Sequence, residues 1–141
     1  MATINIYNKV VKKTVMLLPF YLFTLLLFSC QEGREAGDLL GQWRMKGSDT
    51  SFISFSGTVT LFRNTAVIDL AKGQTYGNFQ HIGDSLFIQC YSAKGEASDT
   101  INVENIFGFK PFNNIRLKIA TLDNDHLVLS KESQTWTLEK Y

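Results

Sequence analysis

Residues 79–88 of this chain read Phe79-Gln80-His81-Ile82-Gly83-Asp84-Ser85-Leu86-Phe87-Ile88, and they contain one of the clearest turns of the sequence. Two runs rich in aromatic and branched aliphatic residues flank Gly83-Asp84, a pair that tolerates the left-handed backbone of a tight turn. This pattern predicts a β-hairpin, since two strand-like runs are joined by a two-residue turn.

The same alternation of short apolar runs and turn residues extends in both directions from this hairpin. Asp123-Asn124-Asp125 and Glu132-Ser133 mark two further turns, and no ten-residue helical period occurs after the N-terminal apolar segment. We therefore predict strands near residues 41–47, 51–56, 58–63, 65–70, 75–82, 85–91, 99–106, 114–122, 126–131 and 134–140.

These strands predict a single closed all-β domain over residues 39–141. An open sheet of so many short strands would expose its edges and one apolar face to water. Hairpin-by-hairpin connection favours a small antiparallel up-and-down β-barrel, which removes the edges by closing on itself. A two-sheet β-sandwich is the alternative.

The N-terminal segment has the order of a secretory signal. Lys9, Lys12 and Lys13 precede the apolar run 15–28, and no acidic residue occurs before Glu32. The run is shorter than the roughly 20 apolar residues that a membrane-spanning helix needs. We therefore predict a signal peptide over residues 1–29.

The end of this run, Leu27-Phe28-Ser29-Cys30, resembles the lipobox of bacterial lipoproteins, in which the cysteine thiol is lipidated. Several acyl chains hold a protein at a bilayer far better than one chain does. We predict lipidation at Cys30, a flexible lipid-anchored tether over residues 30–38, and a location in the cell envelope, at the outer membrane. The alternative is ordinary signal cleavage, with Cys30 uninvolved.

Charge argues against nucleic acid as a partner. The formal net charge of +1 becomes −2 when the signal peptide is removed, because three lysines and no acidic residues leave with it. Nucleic-acid binding requires a basic patch or stripe, which this balance does not suggest.

Motifs for catalysis, metals and cofactors are missing from the sequence. His81 and His126 have no metal-ligand spacing, and Asp123-Asn124-Asp125 lacks the remaining positions of a calcium loop. Cys90 shares a strand face with Leu86 and Ile88, which predicts a buried, unreactive thiol. We expect no enzyme activity, no cofactor and no metal site.

One family resemblance covers the whole domain. Leu40-Gly41-Gln42-Trp43 looks like the Gly-x-Trp signature of lipocalins, and residues 49–52, 76–86 and 122–136 resemble small lipocalin-like lipoproteins of Gram-negative bacteria. The resemblance implies a barrel whose base is formed by Gly41 and Trp43. A second lipocalin signature and a C-terminal helix are absent from the sequence, and the candidate cations to stack on Trp43 are Lys140 and Lys131.

Residues 105–114 combine three phenylalanines with Gly108 and Pro111, which predicts a loop. One interpretation is that Phe107, Phe109 and Phe112 tuck over an open barrel end and complete the core. The other is a lid over the barrel mouth or an exposed patch for a partner.

Two functions follow from these expectations. The first is a membrane-anchored lipocalin-like lipoprotein that binds a small hydrophobic ligand, for which the sequence identifies no ligand-binding residues. The second is a structural or interaction lipoprotein that presents the 105–114 loop to an unknown protein partner. Phe52, Phe55, Phe62 and Phe87 lie at strand spacing and are more typical of packing than of a cavity wall.

Overall fold

The computed structural model describes residues 2–28, 36–92, 95 and 97–141. The chain divides into two compact units, residues 1–32 and 33–141. In the first unit, α1 (Ala2–Phe28) contains Pro19. None of the described helices has the length and apolarity required to cross a membrane. Cys30, the predicted lipidation site, lies outside the described residues.

The second unit is an eight-stranded barrel. Each strand pairs antiparallel with the next, and the last strand pairs with the first, so the sheet is closed. This confirms the up-and-down barrel and excludes the sandwich. The strands are β1 (Gly41–Met45), β2 (Ser51–Ser56), β3 (Val59–Asn64), β4 (Gln74–Ile82), β5 (Ser85–Tyr91), β6 (Ile115–Leu122), β7 (His126–Lys131) and β8 (Gln134–Lys140).

The strand predicted at 65–70 is wrong, because side-chain hydrogen bonds turn the backbone there. Asn64 Oδ1 accepts from the amide of Ala66, and Asp69 Oδ1 accepts from the amide of Ala71. Short polar side chains that bond the backbone two residues on favour turns over strands. The apolar residues that suggested a strand, Ile68 and Leu70, are exposed.

The strand predicted at 99–106 is also wrong. This segment forms the short helix α2 (Ala97–Ile101) and a π-helical turn (Asn102–Phe107), which ends where Gly108 takes a left-handed conformation with φ 82°. Strands β5 and β6 already pair with each other, so the intervening chain has no place in the sheet.

The core fills the inside of the barrel with side chains that alternate along β4, β5 and β6 and with residues of the segment between β5 and β6. The largest buried side chains, each less than 2% exposed, include Trp43, Phe55, Phe62, Phe107 and Phe109. A cavity able to hold a ligand would leave accessible surface on the side chains around it. These side chains have almost none, so they pack against one another.

Candidate ligand-binding site

One end of the barrel is closed by Trp43. Its side chain is completely buried, and its Nε1 donates a hydrogen bond of 2.8 Å to the carbonyl oxygen of Leu39. Leu39 ends a 3₁₀ turn (Gly37–Leu39) that lies against the barrel, so packing begins at Ala36, inside the segment predicted as a tether.

Lys140 is the cation that stacks on Trp43, with Nζ 4.4 Å from the ring centroid. The same Nζ donates to the carbonyl oxygen of Leu40. Gly41 has φ +118°, and a Cβ there would lie 2.8 Å from this Nζ. The two residues of the Gly-x-Trp signature, Gly41 and Trp43, therefore both lie against Lys140 at the start of β1.

The opposite end, where β5 ends and β6 begins, is closed by two phenylalanines that we call the aromatic plug, Phe107 and Phe109. Both rings are buried, and both contact the ring of Phe62, with centroids 5.2 and 5.8 Å away. Trp136 Nε1 donates to the carbonyl oxygen of Phe107 at 2.9 Å. The interpretation of a loop that completes the core is thus confirmed.

The partner-surface interpretation of residues 105–114 finds no support in the aromatic plug, because its rings are not accessible. Phe112, the third phenylalanine of the loop, is half-buried against the core.

A polar network holds the segment before the plug against the strands. The Asp99 carboxylate accepts hydrogen bonds from Ser92 Oγ at 2.5 Å and Thr75 Oγ1 at 3.1 Å. Asn102 Nδ2 donates to Thr75 Oγ1 at 3.2 Å. These bonds stabilise the position of the plug without adding a strand to the sheet.

Cys90 lies on the inner face with Leu86 and Ile88 and is 4% exposed, as predicted. Burial, followed by the nearby negative charge of Asp99, raises the pKa of the thiol to about 12. A thiol that stays protonated is a poor nucleophile.

The histidines and the acidic turn have structural roles. His126 Nδ1 lies 3.3 Å from Asp123 Oδ1, and His81 Nε2 lies 3.0 Å from the carbonyl oxygen of Gly83. Hydrogen bonds from the amides of Asp125 and His126 lower the pKa of Asp123, as expected for a turn. No group of three or more potential metal-ligating side chains occurs among the described residues.

Open space occurs on the outer face of the barrel, as a groove of about 660 Å³ along β4, β5 and the start of β6, which we call the outer groove. Its outward-facing side chains alternate with inward-facing core residues of the same strands. Amides dominate its lining: Asn78, Gln80, Gln89, Asn113 and Asn114.

Strand register brings the groove side chains together. Asn78 pairs directly with Gln89, and Gln80 pairs with Phe87. Arg116 pairs with Phe87 from the other side, with its guanidinium carbon 5.9 Å from the ring centroid. Its Nε also donates to Asn114 Oδ1 at 3.3 Å.

Of the four phenylalanines considered in the sequence, Phe55 and Phe62 belong to the core, and Phe52 contacts Tyr141 at 5.0 Å. Phe87 lines the outer groove instead. Reasoning from the sequence missed this groove because it considered possible cavity walls and the 105–114 loop, but not the outward-facing positions of β4 and β5. The available signal was the spacing of amides at alternate positions of neighbouring strands.

Comparison with known proteins agrees with this fold. A lipocalin-like protein from Bacteroides uniformis is 21% identical with a TM-score of 0.58, and the match covers 74% of this chain and 100% of that one. An uncharacterized protein from Bacteroides eggerthii is 20% identical with a TM-score of 0.54, over 72% and 98% of the two chains.

The search of curated proteins found no match. The model of a family described as a lipocalin-like domain matches residues 24–141, which include the whole barrel. The chain therefore belongs to the lipocalin-like domain family.

Proposed function

We propose that this chain is a non-catalytic binding protein, held at a bacterial membrane by lipid on Cys30, that takes a small ligand in the outer groove. The choice of site rests on one observation. The interior of the barrel is filled with side chains, whereas the groove of about 660 Å³ lies on its outer face. Small-ligand sites typically measure about 300–1,000 Å³. Lipocalin-like proteins are in general binding proteins, which supports a binding role over catalysis.

The energetics of the core argue against the barrel interior as the first site. A ligand could enter only if Phe107 and Phe109 left the core, where both are buried. Exposing two phenylalanines costs on the order of 3–6 kcal/mol. An apparent affinity would then fall by roughly 100- to 20,000-fold, because only a small fraction of molecules would be open.

A hydrophobic ligand inside the barrel is the second candidate, and the placement of the plug favours it. The segment from Ala97 to Phe107 is helical and lies outside the strand ladder, so it can move without breaking the sheet. A ligand that replaced the two rings would cover the apolar surface they leave on Phe62 and Trp136.

Native mass spectrometry distinguishes the two sites. The full chain is extracted from bacterial membranes in mild detergent and mixed with a small-molecule extract of the same cells. Gln89→Trp fills the outer groove. As the control, Gln134→Trp places the same ring at an exposed position, the first residue of β8. We expect Gln89→Trp to lose the bound mass and Gln134→Trp to retain it.

A third variant tests the interior. Phe109→Ala removes one ring of the plug, and binding is measured at a temperature where circular dichroism shows that the variant is folded, so that a groove ligand is unaffected by it. If Gln89→Trp retains the ligand while Phe109→Ala changes the amount bound, the outer groove is wrong and the barrel interior is the site.

The membrane anchor rests on the sequence order of three lysines, an apolar run and Leu27-Phe28-Ser29-Cys30. We expect incorporation of labelled fatty acid in a bacterial host and recovery of the protein in the outer membrane fraction. Cys30→Ala should abolish labelling, whereas Cys90→Ala removes the chain's other cysteine and should leave it unchanged. Label that persists in Cys30→Ala would rule out lipidation at this residue.

A further inference from the structure

We propose that the ligand of the outer groove is a neutral oligosaccharide, an inference that rests on the groove being the binding site. The argument combines the amide side chains of the groove, the aromatic rings beside them and the shortage of charge.

Amides match the hydrogen-bonding needs of sugar hydroxyls. Each hydroxyl both donates and accepts, and each Asn or Gln side chain offers two donors and one accepting oxygen without a charge. Asn78 and Gln89 are direct cross-strand partners, so their Cβ atoms lie about 4.5–5.5 Å apart. Neighbouring hydroxyls of one sugar ring can therefore be bound by both amides at once.

Aromatic rings occupy the same outer face on both sides of this amide pair. Tyr76 and Tyr91 are cross-strand partners, and their side chains are exposed by 42% and 45%. Phe87 lies at the other side, paired with Gln80. Residues on the same face of a strand are about 6.5–7 Å apart. Aromatic rings and amides therefore follow one another at a spacing close to the length of one sugar unit.

A sugar ring suits such alternation because it is amphipathic. Its C–H face is weakly positive and apolar, which complements the negative face of an aromatic ring. Its edge carries hydroxyls, which face the amides. An aliphatic ligand on this surface would instead cover five amides and leave their polar atoms without partners, which is unfavourable.

The lining of the groove carries too little positive charge to bind nucleic acid or another polyanion. Arg116 is the one charged residue among those that line the groove, and it already contacts Phe87 and Asn114. Nucleic acid requires several cations to replace counterions along the phosphates. A ligand with many hydroxyls and no net charge is the class that fits.

The test measures saccharide binding by the full chain in detergent with titration calorimetry. The probes are short neutral oligosaccharides of hexoses and pentoses, the corresponding uronic-acid oligomers, and a medium-chain fatty acid. The double variant Asn78→Ala/Gln89→Ala removes the central amide pair. Asn124→Ala/Gln134→Ala removes an equal number of exposed amides from the β6–β7 turn and β8 and serves as the control.

We expect at least one neutral oligosaccharide to bind saturably. Its Kd should rise about tenfold or more in the groove variant and stay unchanged in the control, with equal melting temperatures for all three proteins. Tyr91→Ala should also weaken binding, since it removes a stacking surface.

Three other outcomes overturn the inference. Tighter binding of uronic-acid oligomers or of the fatty acid assigns the groove to another ligand class. Absence of binding by every neutral oligosaccharide also means that the groove takes another ligand class. The groove itself remains supported as a binding site if a ligand from the cell extract is lost in Gln89→Trp. A neutral oligosaccharide that binds both double variants equally would place its site elsewhere on the chain.

Discussion

At the scale of single residues, Cys90 shows how position decides chemistry. Its thiol faces the core beside Leu86 and Ile88, and burial raises its pKa to about 12. The sequence could predict this burial, since alternation along a strand fixes which residues share a face. The contribution of Asp99 to the pKa could not be predicted, because it depends on a helix that the sequence suggested was a strand.

The raised pKa of Cys90 makes stability depend on pH. In the unfolded chain the thiol loses its proton near its ordinary value of 9.0, whereas the folded protein keeps it protonated to about pH 12. Ionisation therefore favours the unfolded chain as pH rises between these values. We expect the wild-type protein to lose at most about 4 kcal/mol more than Cys90→Ala over this interval.

Urea denaturation of the two proteins at pH 8 and pH 11 measures about two thirds of this difference, at most about 2.7 kcal/mol, because pH 11 lies two units above 9.0. Tyrosine and lysine titration affects both proteins equally and cancels in the comparison. Parallel pH curves for wild type and Cys90→Ala would show that the thiol is not held protonated.

At the scale of elements, sequence patterns predicted the hairpins and failed between them. Residues 79–88 form the predicted hairpin because turn residues and alternation agree. Residues 65–70 and 99–106 carry apolar side chains typical of strands, but neither has a neighbouring strand to pair with. Hydrogen bonds that the side chains of Asn64 and Asp69 accept from backbone amides determine the turns of the first segment, and helical packing against the barrel end determines the second.

The outer groove could be predicted only in part from the sequence. Its amides come from β4, β5 and the residues before β6, and only strand register brings Asn78 beside Gln89. The two-residue Gly83-Asp84 turn fixes the register of β4 and β5, so the Asn78–Gln89 pair could have been predicted. The position of Asn113 and Asn114 depends on how the long connection after β5 returns to the sheet, which no local pattern shows.

The aromatic plug gives a prediction about stability. Phe109→Ala should destabilise the barrel by about 3–5 kcal/mol, because the ring is fully buried against Phe62 and Trp136. Phe87→Ala makes the same change on the outer face and should cost only about 1 kcal/mol, its contact being with Arg116. Urea denaturation gives both values.

Equal costs for these two variants would mean that Phe109 does not belong to the core. The barrel interior would then be open to ligands, and the second candidate function would gain support.

At the scale of the whole molecule, closure of the barrel depends on the two ends of the sheet. Strands β1 and β8 pair over three residues, from Trp43 opposite Lys140 to Met45 opposite Leu138. The amide of Tyr141 adds a bond of 2.9 Å to the carbonyl oxygen of Gln42. Because closure removes both edge strands at once, loss of this short seam exposes two edges rather than one.

The N-terminal boundary of the barrel lies at the end that Trp43 closes. Ala36 and Leu39 are completely buried, and Leu39 accepts the indole hydrogen bond of Trp43. We expect a protein beginning at Ala36 to unfold in urea at the same midpoint as the full chain. A protein beginning at Leu40 should be destabilised by about 2–5 kcal/mol, because it lacks the buried leucine and leaves the indole N–H without its partner.

Comparison of these two proteins with the full chain locates where the barrel begins. Loss of stability already in the protein that begins at Ala36 would show that residues 1–35 contribute to the barrel. Equal stability of the proteins beginning at Ala36 and Leu40 would show that the 3₁₀ turn adds nothing to the closed end. The expected order instead places the start of the folded barrel between these positions, and with the buried Ala36 as its first residue, five residues separate it from Cys30. Since an extended chain spans at most about 3.6 Å per residue, the lipid that we propose on Cys30 would hold the barrel within roughly 20 Å of a membrane surface.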